Sequence, residues 1–593
     1  MSRSAIFRRN LIILVVGLTL WLVLGLLVSN PYYKLLLTTV PIWAVLAISW
    51  NVFSGYSGLV SFGHAAFFGL GAFIVGVSLK FFDITPWIGI PLATILGALA
   101  GAGIGYPTFR LRGTYFALAM LAYPLAMIAI FEWLGLQELS MPMKRDNPVA
   151  YAQFSDYRAY LMMTLSLLAI AAFVSLRIER SRFGLSLLAI KQNELAAEAA
   201  GIDTFHWKLK AMILSAALAS TAGALYAIVV LVITPASVFG VVVSAQAMIL
   251  TLFGGAGTIW GPLIGSAVLV PLSETLNAEL GHILPGIQGL VYGMAIIGVI
   301  LIAPEGLYWR IVDLLQRRKP VEKVDHLAEE IVHAPSVSLT RTPPTSTAKA
   351  ILSVGNLSKS YGGLRAVRDV SFDIPEGGII GIIGPNGAGK TTLFNLLNGI
   401  VKPDIGSIVF DGHDITGLAP NQVCKRGVAR TFQVVRAFPR MSVLENIAAG
   451  AFVAYETDEK AWEAARESLD NVGLSSIAHI PAGRLTSREL RLMELARALA
   501  SRPKLILLDE PLAGLGATET QELIEIVKRL PTLGVTVVII EHTMHAMVNT
   551  VDSFIVLDHG ALLTSGLPQV VTRDSRVIEA YLGRKWAVAN AQN

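Results

Sequence analysis

A glycine-rich segment in the second half of the chain has the residue types and spacing that phosphate binding requires. Its nine residues are Gly384, Pro385, Asn386, Gly387, Ala388, Gly389, Lys390, Thr391 and Thr392. Glycines allow successive backbone N–H groups to converge on phosphate oxygens. The Lys390 ammonium can neutralise β- and γ-phosphates, and the Thr391 hydroxyl can bind Mg²⁺. The segment therefore predicts a site for a nucleoside triphosphate with Mg²⁺.

Two adjacent acids, Asp509 and Glu510, follow a run of aliphatic residues at 505–508. Such a run is typical of a buried strand, so both acids are expected at the end of a strand. Asp509 then suits a contact with Mg²⁺, and Glu510 suits polarising an attacking water as a general base. The alternative is an acid pair in an ordinary turn, which fits less well beside a phosphate-binding segment.

The elements that must position these residues are the strands of one sheet and the helix after the glycine-rich segment. Residues 379–383 are a β-type run directly before the segment, and residues 393–397 are helical in composition. A strand, Gly-x-x-x-x-Gly-Lys-Thr and a helix, in that order, form the context of a P-loop. The N-terminus of that helix adds a positive dipole end. Residues 350–593 are therefore predicted to form an α/β P-loop NTPase domain.

The first half of the chain has the composition of a membrane protein. The whole sequence is 54% hydrophobic and 15% charged, whereas an average soluble protein has about a quarter charged residues. A helical span needs about 20 apolar residues. The ten candidate spans are residues 11–29, 35–53, 59–79, 87–106, 115–134, 160–176, 211–232, 241–253, 262–276 and 287–302. Residues 1–319 are predicted to form an α-helical polytopic membrane domain of eight to ten spans, and residues 320–349 a flexible linker.

Charges at the ends of the apolar runs predict the orientation of the chain. Arg8 and Arg9 precede the first run, and Arg177 and Lys210 flank later ones, as the positive-inside rule expects. An even number of crossings then keeps the N-terminus and the ATPase half in the cytoplasm of a multi-pass protein of the cytoplasmic (inner) membrane. The net charge of +5 forms no basic stripe, so we expect no nucleic-acid partner.

Glycines recur within and between the candidate spans, and two interpretations remain open for them. They allow close helix packing, or they mark broken helices that line a solute path. His64 lies in one of these glycine-rich stretches. An intramembrane ionisable residue is a functional candidate, although a neutral histidine bonded to a neighbouring helix is the simpler explanation.

The second half resembles the ATPases of ABC transporters. That resemblance identifies the nucleotide as ATP and implies that Tyr361, shortly before the P-loop, stacks on adenine. It further implies that Gln433, in the sequence Arg-Thr-Phe-Gln, is the Q-loop glutamine that links the metal site to the permease. His542 matches the switch histidine near the γ-phosphate. By this resemblance, the catalytic residues are Glu510, His542 and Gln433, and the metal ligands are Thr391, Gln433 and Asp509.

Both halves resemble the branched-chain amino-acid import systems more specifically. In the ATPase half, the similar segments are residues 436–446 and 577–583; in the first half, they are residues 51–71, 111–117 and 253–262. Residues 182–203 resemble the coupling loop that docks on the ATPase, with a solvated amphipathic helix as the alternative. The resemblance implies ATP-driven uptake of branched-chain amino acids by a fused permease and ATPase. Export, or import of urea, amides or aromatic acids, are the alternatives, together with a non-transporting regulatory protein.

One motif departs from the ABC pattern. The signature, usually Leu-Ser-Gly-Gly-Gln, falls on residues 485–489, where Thr486 still offers a hydroxyl but Arg488 replaces a glycine and Glu489 adds a negative charge. A carboxylate beside a polyphosphate is unfavourable at short range. ABC ATPases pair so that each signature completes the partner's ATP site. We therefore expect a hetero-assembly in the lipid bilayer, with a second ATPase and a second permease. The resemblance also implies an extracytoplasmic solute-binding protein as a partner.

Overall fold

A computed structural model describes residues 3–582, with gaps at 112, 145, 180, 285, 304–305, 318–348 and 543. These residues form two compact units, one of residues 3–191 and 204–317 and one of residues 192–203 and 349–582. The predicted linker at 320–349 lies outside the described residues except for its last position, as does Gly583 of the segment 577–583. The predicted classes, apolar helices followed by an α/β ATPase domain, are confirmed.

Helices make up nearly all of the first unit. Its helices, with the two short helical pieces near residue 192, are α1 Arg3–Leu27, α2 Pro31–Trp50, α3 His64–Phe82, α4 Pro86–Thr108, α5 Thr114–Trp133, α6 Tyr157–Glu179, α7 Arg182–Gln192, α8 Glu194–Ala199, α9 Thr204–Val230, α10 Pro235–Phe239, α11 Val241–Gly254, α12 Trp260–Leu280, α13 Ile287–Ile302 and α14 Leu307–Arg317. Strands β1 Leu139–Ser140 and β2 Val232–Ile233 form a short antiparallel pair. Within the described part of the chain, eight helical stretches are long and apolar enough to cross a membrane.

The third candidate span begins later than its composition predicts. The sequence indicates a span from residue 59, whereas α3 begins at His64, after a π-helical turn at Asn51–Gly55 and a loop. The Trp50 indole donates to the Ser61 carbonyl, and the Ser61 N–H donates to the Ser54 hydroxyl. These partners satisfy polar groups of the loop, so the apolar run need not be helical throughout.

The structure contains both close helix packing and broken helices at glycines. Gly71 of α3 packs against Ser220 of α9 so closely that a Cβ atom would overlap the Ser220 carbonyl. The loop after α11 is instead non-helical: Asn51 donates its Nδ2 to the Thr258 carbonyl at 2.8 Å and accepts from the Gly257 N–H at 2.8 Å. Close packing and broken helices therefore occur at different glycines.

His64 is a packing residue in this structure. Its Nδ1 lies 3.0 Å from the Ser61 hydroxyl, and its Nε2 lies 2.8 Å from the Ser215 hydroxyl. Ser215 donates to the Ser49 carbonyl at 2.6 Å, so it accepts from His64 Nε2–H. The imidazole thereby joins α2, α3 and α9, which matches the simpler of the two explanations.

The second unit contains two sheets. Its strands are β3 Ala350–Tyr361, β4 Leu364–Pro375, β5 Ile379–Ile383, β6 Ile405–Phe410, β7 His413–Asp414, β8 Val428–Arg430, β9 Leu505–Asp509, β10 Thr536–Ile540, β11 Ser553–Asp558 and β12 Ala561–Gly566. One sheet has the order β4-β3-β6-β7 and is antiparallel. The other has the order β12-β11-β5-β10-β9-β8 and is parallel except for β12.

Helices cover these sheets and carry the motifs. They are α15 Lys390–Leu397, α16 Pro420–Lys425, α17 Val443–Ala451, α18 Asp458–Asn471, α19 Ser487–Leu499, α20 Ala517–Arg529, α21 Met544–Val548, α22 Pro568–Val571 and α23 Ser575–Leu582. The core between the sheets is formed by aliphatic side chains around Phe394 and Phe410. Strands β5, β9 and β10 are buried along their whole length, which explains their continuous apolar runs.

The close approach of α3 and α9 predicts different outcomes for two glycine substitutions. Gly71→Ala places a methyl group on the Ser220 carbonyl, so we expect the free energy of unfolding to fall by about 1–3 kcal/mol. Gly103→Ala, on α4 with no atom within 4 Å of its Cβ position, should be neutral or stabilise by about 0.5–1 kcal/mol. The measurement is the thermal unfolding midpoint of the purified chain in detergent. Equal midpoints for the two variants would show that the contact is absent.

Candidate nucleotide site

The parallel register of four strands brings the predicted site residues to one edge of the sheet. Asp509 pairs with Ile540, Ile540 with Ile382, and Arg430 with Leu507. The carboxyl ends of β5, β8, β9 and β10 therefore lie side by side. The P-loop, the Q-loop, the acid pair and His542 each follow one of these ends, so segments far apart in sequence converge.

The P-loop has the conformation that its glycines predict. Gly389 has φ +95°, and a Cβ atom there would overlap the Ala366 carbonyl, so a larger residue would be strained. Lys390 donates from Nζ to the carbonyls of Gly384 at 2.7 Å and Pro385 at 3.0 Å. Burial lowers the pKa of Lys390, and the charges of Glu510 and Asp509 oppose that shift. The ammonium is thus held inside the loop, next to where phosphates would lie.

An open cleft of about 1130 Å³ contains most of the predicted residues. It is lined by Tyr361, by the P-loop from Asn386 to Thr392, by Gln433, Glu510 and His542, and also by Arg365, Arg368 and His559. Gly384 and Pro385 lie at the base of the loop, and Asp509 is buried behind the cleft. Tyr361 remains half-exposed at the rim, where its ring is accessible for stacking.

The three predicted catalytic side chains form one hydrogen-bonded group. Gln433 donates from Nε2 to Glu510 Oε2 at 2.8 Å, and His542 Nε2 lies 2.7 Å from Glu510 Oε1. Glu510 itself has φ +46°, a conformation that costs a non-glycine residue on the order of 1 kcal/mol or more. Both carboxylate oxygens therefore have a partner supplied by a different loop.

Asp509 has one oxygen bonded and one without a partner. Arg430 donates from Nη2 to Asp509 Oδ2 at 2.8 Å, while the buried Oδ1 has no hydrogen-bond partner among the described atoms. Burial raises the pKa of Asp509, and the guanidinium of Arg430 opposes that shift. In the described ranges no cluster of three or more His, Cys, Asp or Glu side chains could hold a metal unaided. Mg²⁺ in nucleotide sites needs only one or two carboxylates plus phosphate oxygens, so this donor set fits it.

Several residues that hold the site together were not found from the sequence. The buried Glu494 of α19 accepts from the backbone N–H groups of Phe432 and Arg436. Arg491, also on α19, donates to the carbonyls of Phe432 and Gln433. Tyr581 accepts the Gly384 N–H with its hydroxyl at 2.7 Å. For Glu494 the sequence offered one signal, a charged residue within a buried helix face. For Tyr581 the sequence offered no signal.

The signature segment is closed by its own side chains. Thr486 is the N-cap of α19 and accepts the Glu489 N–H, while Glu489 Oε2 accepts the Thr486 N–H at 2.7 Å and its hydroxyl at 2.9 Å. This is a capping box. Arg488 pairs with Glu522 of α20, Nη2 to Oε2 at 2.7 Å. The sequence predicted only that Glu489 adds a negative charge. In the structure its carboxylate is hydrogen-bonded at the N-terminus of α19.

Residues 192–203 belong to the second unit and pack on the segment after Gln433. Gln192 accepts the Arg440 N–H at 3.2 Å, and Asn193 accepts from Arg436 Nη1 at 3.3 Å. Gly201 has φ +85°, and its Cβ position lies 2.5 Å from the Val453 Cβ. The sequence indicated one helix here, but Asn193 has φ −158° and caps α8 through the Ala196 N–H, so the segment is divided into α7 and α8.

Known proteins resemble each half of this chain. A family model described as the permease component of the branched-chain amino acid transport system matches residues 32–303, and an ABC transporter model matches residues 367–513. The high-affinity branched-chain amino acid transport ATP-binding protein BraF of Pseudomonas aeruginosa is 39% identical over 251 residues, covering 40% of this chain and 98% of that protein. LivG of Escherichia coli, which carries the same description, is 36% identical over 249 residues, covering 39% and 98%.

A solved structure shows a similar match. A nucleotide-free ATP-binding cassette from an ABC transporter shares 32% identity, covers 40% of this chain and 100% of that chain, and has a TM-score of 0.37.

The cleft, the P-loop and the parallel sheet define a P-loop ATPase attached to a helical membrane domain. The chain belongs to the ABC transporters, with a permease domain of the branched-chain amino acid type and an ABC ATPase domain in one polypeptide. It is a multi-pass membrane protein that binds ATP and couples its hydrolysis to transport, in association with partner subunits.

The packing of residues 192–203 on the segment after Gln433 predicts a variant in which ATP hydrolysis is uncoupled from transport. Gly201→Ala strains the backbone and presses on Val453, so we expect transport to fall about tenfold, within the range of coupling energies of 1–3 kcal/mol. ATP hydrolysis should change less. Uptake and phosphate release are measured on the same membrane vesicles. Val453→Ala in the Gly201→Ala background should recover part of the transport.

A matched control for this variant is Gly534→Ala. Gly534 has φ +79° and no atom within 4 Å of its Cβ position, so it incurs the same backbone strain without a clash. If Gly534→Ala reduced transport as much as Gly201→Ala, the packing of Gly201 on Val453 would have no special role.

Proposed function

We propose that this chain is the fused permease and ATPase subunit of an importer for branched-chain amino acids. The observation that carries the proposal is the occurrence, in one polypeptide, of a permease domain of that type and an ATPase domain that is similar to BraF and LivG. The segment at 192–203 supports import as well, because a short cytoplasmic loop of the permease half is seated in the ATPase unit.

The residues of the cleft have distinct proposed roles in ATP hydrolysis. Tyr361 stacks on adenine, and Lys390 exchanges its carbonyl partners for β- and γ-phosphate oxygens. Thr391, Gln433 and Asp509 would hold Mg²⁺, which would supply charge neutralisation on the same phosphates. Glu510 accepts a proton from the attacking water. His542 holds the Glu510 carboxylate, as its 2.7 Å contact supports, and stabilises charge on the γ-phosphate.

We further propose that the ATPase works as one of two unlike subunits. The P-loop, Asp509 and Glu510 retain every group that hydrolysis needs. The N-terminal end of α19 lacks a free group of this kind. The Glu489 carboxylate is bonded to the Thr486 N–H and hydroxyl, which the γ-phosphate of ATP on a partner subunit would use. A second ATPase with an intact signature would complete the site on Lys390, and a second permease would complete the solute path.

The proposed orientation places the N-terminus and the ATPase in the cytoplasm. Arg8 and Arg9 before the first predicted span and Arg177 in the last turn of α6 support it through the positive-inside rule. An extracytoplasmic binding protein would deliver the solute to the opposite face, and the cytoplasmic (inner) membrane would be the location.

Uptake of labelled solutes tests the direction and the substrate class. Cells that carry the complete transporter should accumulate leucine, isoleucine and valine, and Lys390→Ala should abolish this uptake because the P-loop loses its phosphate-binding cation. Lys402→Ala, on an exposed lysine of the same domain, is the control and should transport normally. Uptake confined to urea, amides or aromatic acids would reassign the solute. Accumulation only in inside-out vesicles would replace import with export, and undiminished uptake by Lys390→Ala would refute the ATP-driven role.

The signature segment yields a gain-of-function prediction. Arg488→Gly with Glu489→Gln restores a glycine and an uncharged side chain. Glutamine bonds to the Thr486 N–H and hydroxyl more weakly than a carboxylate does, so a γ-phosphate can displace it. In the assembled transporter we expect the rate of ATP hydrolysis to rise by up to about twofold, as a second site becomes active. Glu522→Gln, which only releases Arg488 from its partner, should leave the rate near that of the wild type. A fall in the rate of the double variant would show that Arg488 or Glu489 already contributes to hydrolysis.

A further inference from the structure

Arg430 is a buried arginine at the end of β8 that the proposed chemistry does not use. Its side chain is 2% exposed, and long charged side chains are almost never this buried without partners. The guanidinium donates from Nη2 to Asp509 Oδ2 at 2.8 Å and from Nη1 to Asn395 Oδ1 at 2.6 Å. Asn395 lies on α15, the helix that follows the P-loop. One planar group therefore bonds to the P-loop helix and to the strand that carries the metal-site acid.

Two aromatic rings restrict the guanidinium further. Its Cζ lies 5.7 Å from the ring centroid of Phe394 and 5.3 Å from that of Phe432. Cations are attracted to ring faces at such distances. With two donors engaged and two rings nearby, the orientation of the group is determined by α15, β9 and the Q-loop together.

The bond from Arg430 makes the two carboxylate oxygens of Asp509 unequal. Arg430 occupies Oδ2, and Oδ1 is left without a partner. A free carboxylate could rotate about its last bond and present either oxygen, whereas a charge-assisted bond to one oxygen fixes the plane of the group. Metal-site ligands are commonly oriented in this way by a neighbouring group.

We propose that Arg430 is the positioning residue of the Mg²⁺ site: it holds Asp509 so that Oδ1 faces the metal's coordination shell, and it fixes the spacing between β9 and the P-loop helix through Asn395. This inference rests on the proposed role of Asp509 as a metal ligand. The role requires an arginine rather than a lysine, because two divergent donors must reach two acceptors at once.

The same guanidinium forms part of the seat of α8. A cavity of about 10 Å³ is lined by Ala196, Ala199 and Ala200 on one side and by Arg430, Phe432 and Arg497 on the other. Arg430 therefore lines this cavity beside α8 as well as bonding to the metal-site acid. This gives Arg430 a place between the 192–203 segment and the nucleotide, and not only a role in packing.

Nucleotide binding measured with and without metal tests the proposal. A fluorescent, non-hydrolysable ATP analogue is titrated into the full transporter in the presence of EDTA and then over a range of Mg²⁺ concentrations. For Arg430→Gln we expect the Mg²⁺ concentration of half-maximal effect to rise about tenfold, as is typical when a group that orients a metal ligand is removed. Affinity in EDTA should change by less than about twofold. Arg430→Lys should be intermediate because it keeps one donor.

Three comparisons make the outcome decisive. Asn446→Leu removes a fully buried polar side chain away from the cleft and should lower the unfolding midpoint without changing the Mg²⁺ dependence. Asp509→Asn should itself raise the Mg²⁺ requirement, and Arg430→Gln added to it should have little further effect, because the two act as a unit. Asn395→Ala removes the other anchor without deleting a charge, and we expect a two- to threefold rise.

The inference is overturned if the Arg430 variants bind the analogue with the wild-type Mg²⁺ dependence, or if affinity in EDTA falls by the same factor as affinity in Mg²⁺. If Arg430→Gln and Arg430→Lys do not fold, Asn395→Ala decides the question, and an unchanged Mg²⁺ requirement there refutes the positioning role. If the wild type shows no Mg²⁺ dependence, the proposed metal role of Asp509 fails instead, so the two failures are distinct.

Discussion

The catalytic half of this protein depends on the parallel pairing of β5, β8, β9 and β10. A polyphosphate carries several negative charges, and the groups proposed to bind it come from four segments between residues 384 and 542. The pairing of Ile382, Ile540 and Asp509 across three adjacent strands brings those segments together. The strands themselves are buried on both faces, so their aliphatic residues provide the stabilising burial and the polar residues are confined to the ends. The chemistry is therefore located where each strand leaves the core.

Buried charges at this edge are stabilised by one another. An isolated buried ion costs several kcal/mol, yet Arg430, Asp509, Glu494 and Arg497 are all nearly inaccessible to solvent. Each is paired: Arg430 with Asp509, and Glu494 with Arg497 at 3.3 Å. Helix α19 holds the Q-loop through Glu494 and Arg491 even though its first turn has lost the usual signature residues. The body of the helix has thus kept its structural function, while its end has been closed by a capping box.

In the membrane half, the breaks between helices depend on side chains that bond to backbone groups. Broken helices require side chains as substitutes for solvent, and Asn51 supplies both a donor and an acceptor to the loop at 257–258. Lys191 adds a bond from its ammonium to the Gly55 carbonyl at 2.9 Å, at the end of the π-helical turn. Lys191 directly precedes the segment seated in the ATPase unit.

The sequence by itself determined the local motifs. The P-loop, the strand before it, the helix after it and the acid pair at 509–510 are contiguous patterns whose backbone conformation follows from residue type, and the structure contains each of them. The apolar runs predicted helices for the same reason, and the branched-chain type of the permease domain was confirmed by the family match. Local sequence was sufficient for the motifs and the apolar helices because each depends on neighbours within about twenty residues. The type of the permease followed instead from its resemblance to a known family.

Only the tertiary structure decided which distant groups meet. Arg430 and Asp509 are 79 positions apart, and no spacing rule relates them. Helix α3 starts at His64 because Trp50 and Ser54 form hydrogen bonds with the loop before it. The helix breaks at Asn193 because that side chain caps α8 instead of continuing α7. Glu489 could have faced a partner's phosphate, but it bonds to Thr486 because a helix N-terminus with unpaired N–H groups is the nearest favourable site for a carboxylate. The caps at Asn193 and Thr486 are local patterns, and the structure decided which of their possible partners they bond. The Arg430–Asp509 contact joins segments that residue order does not relate.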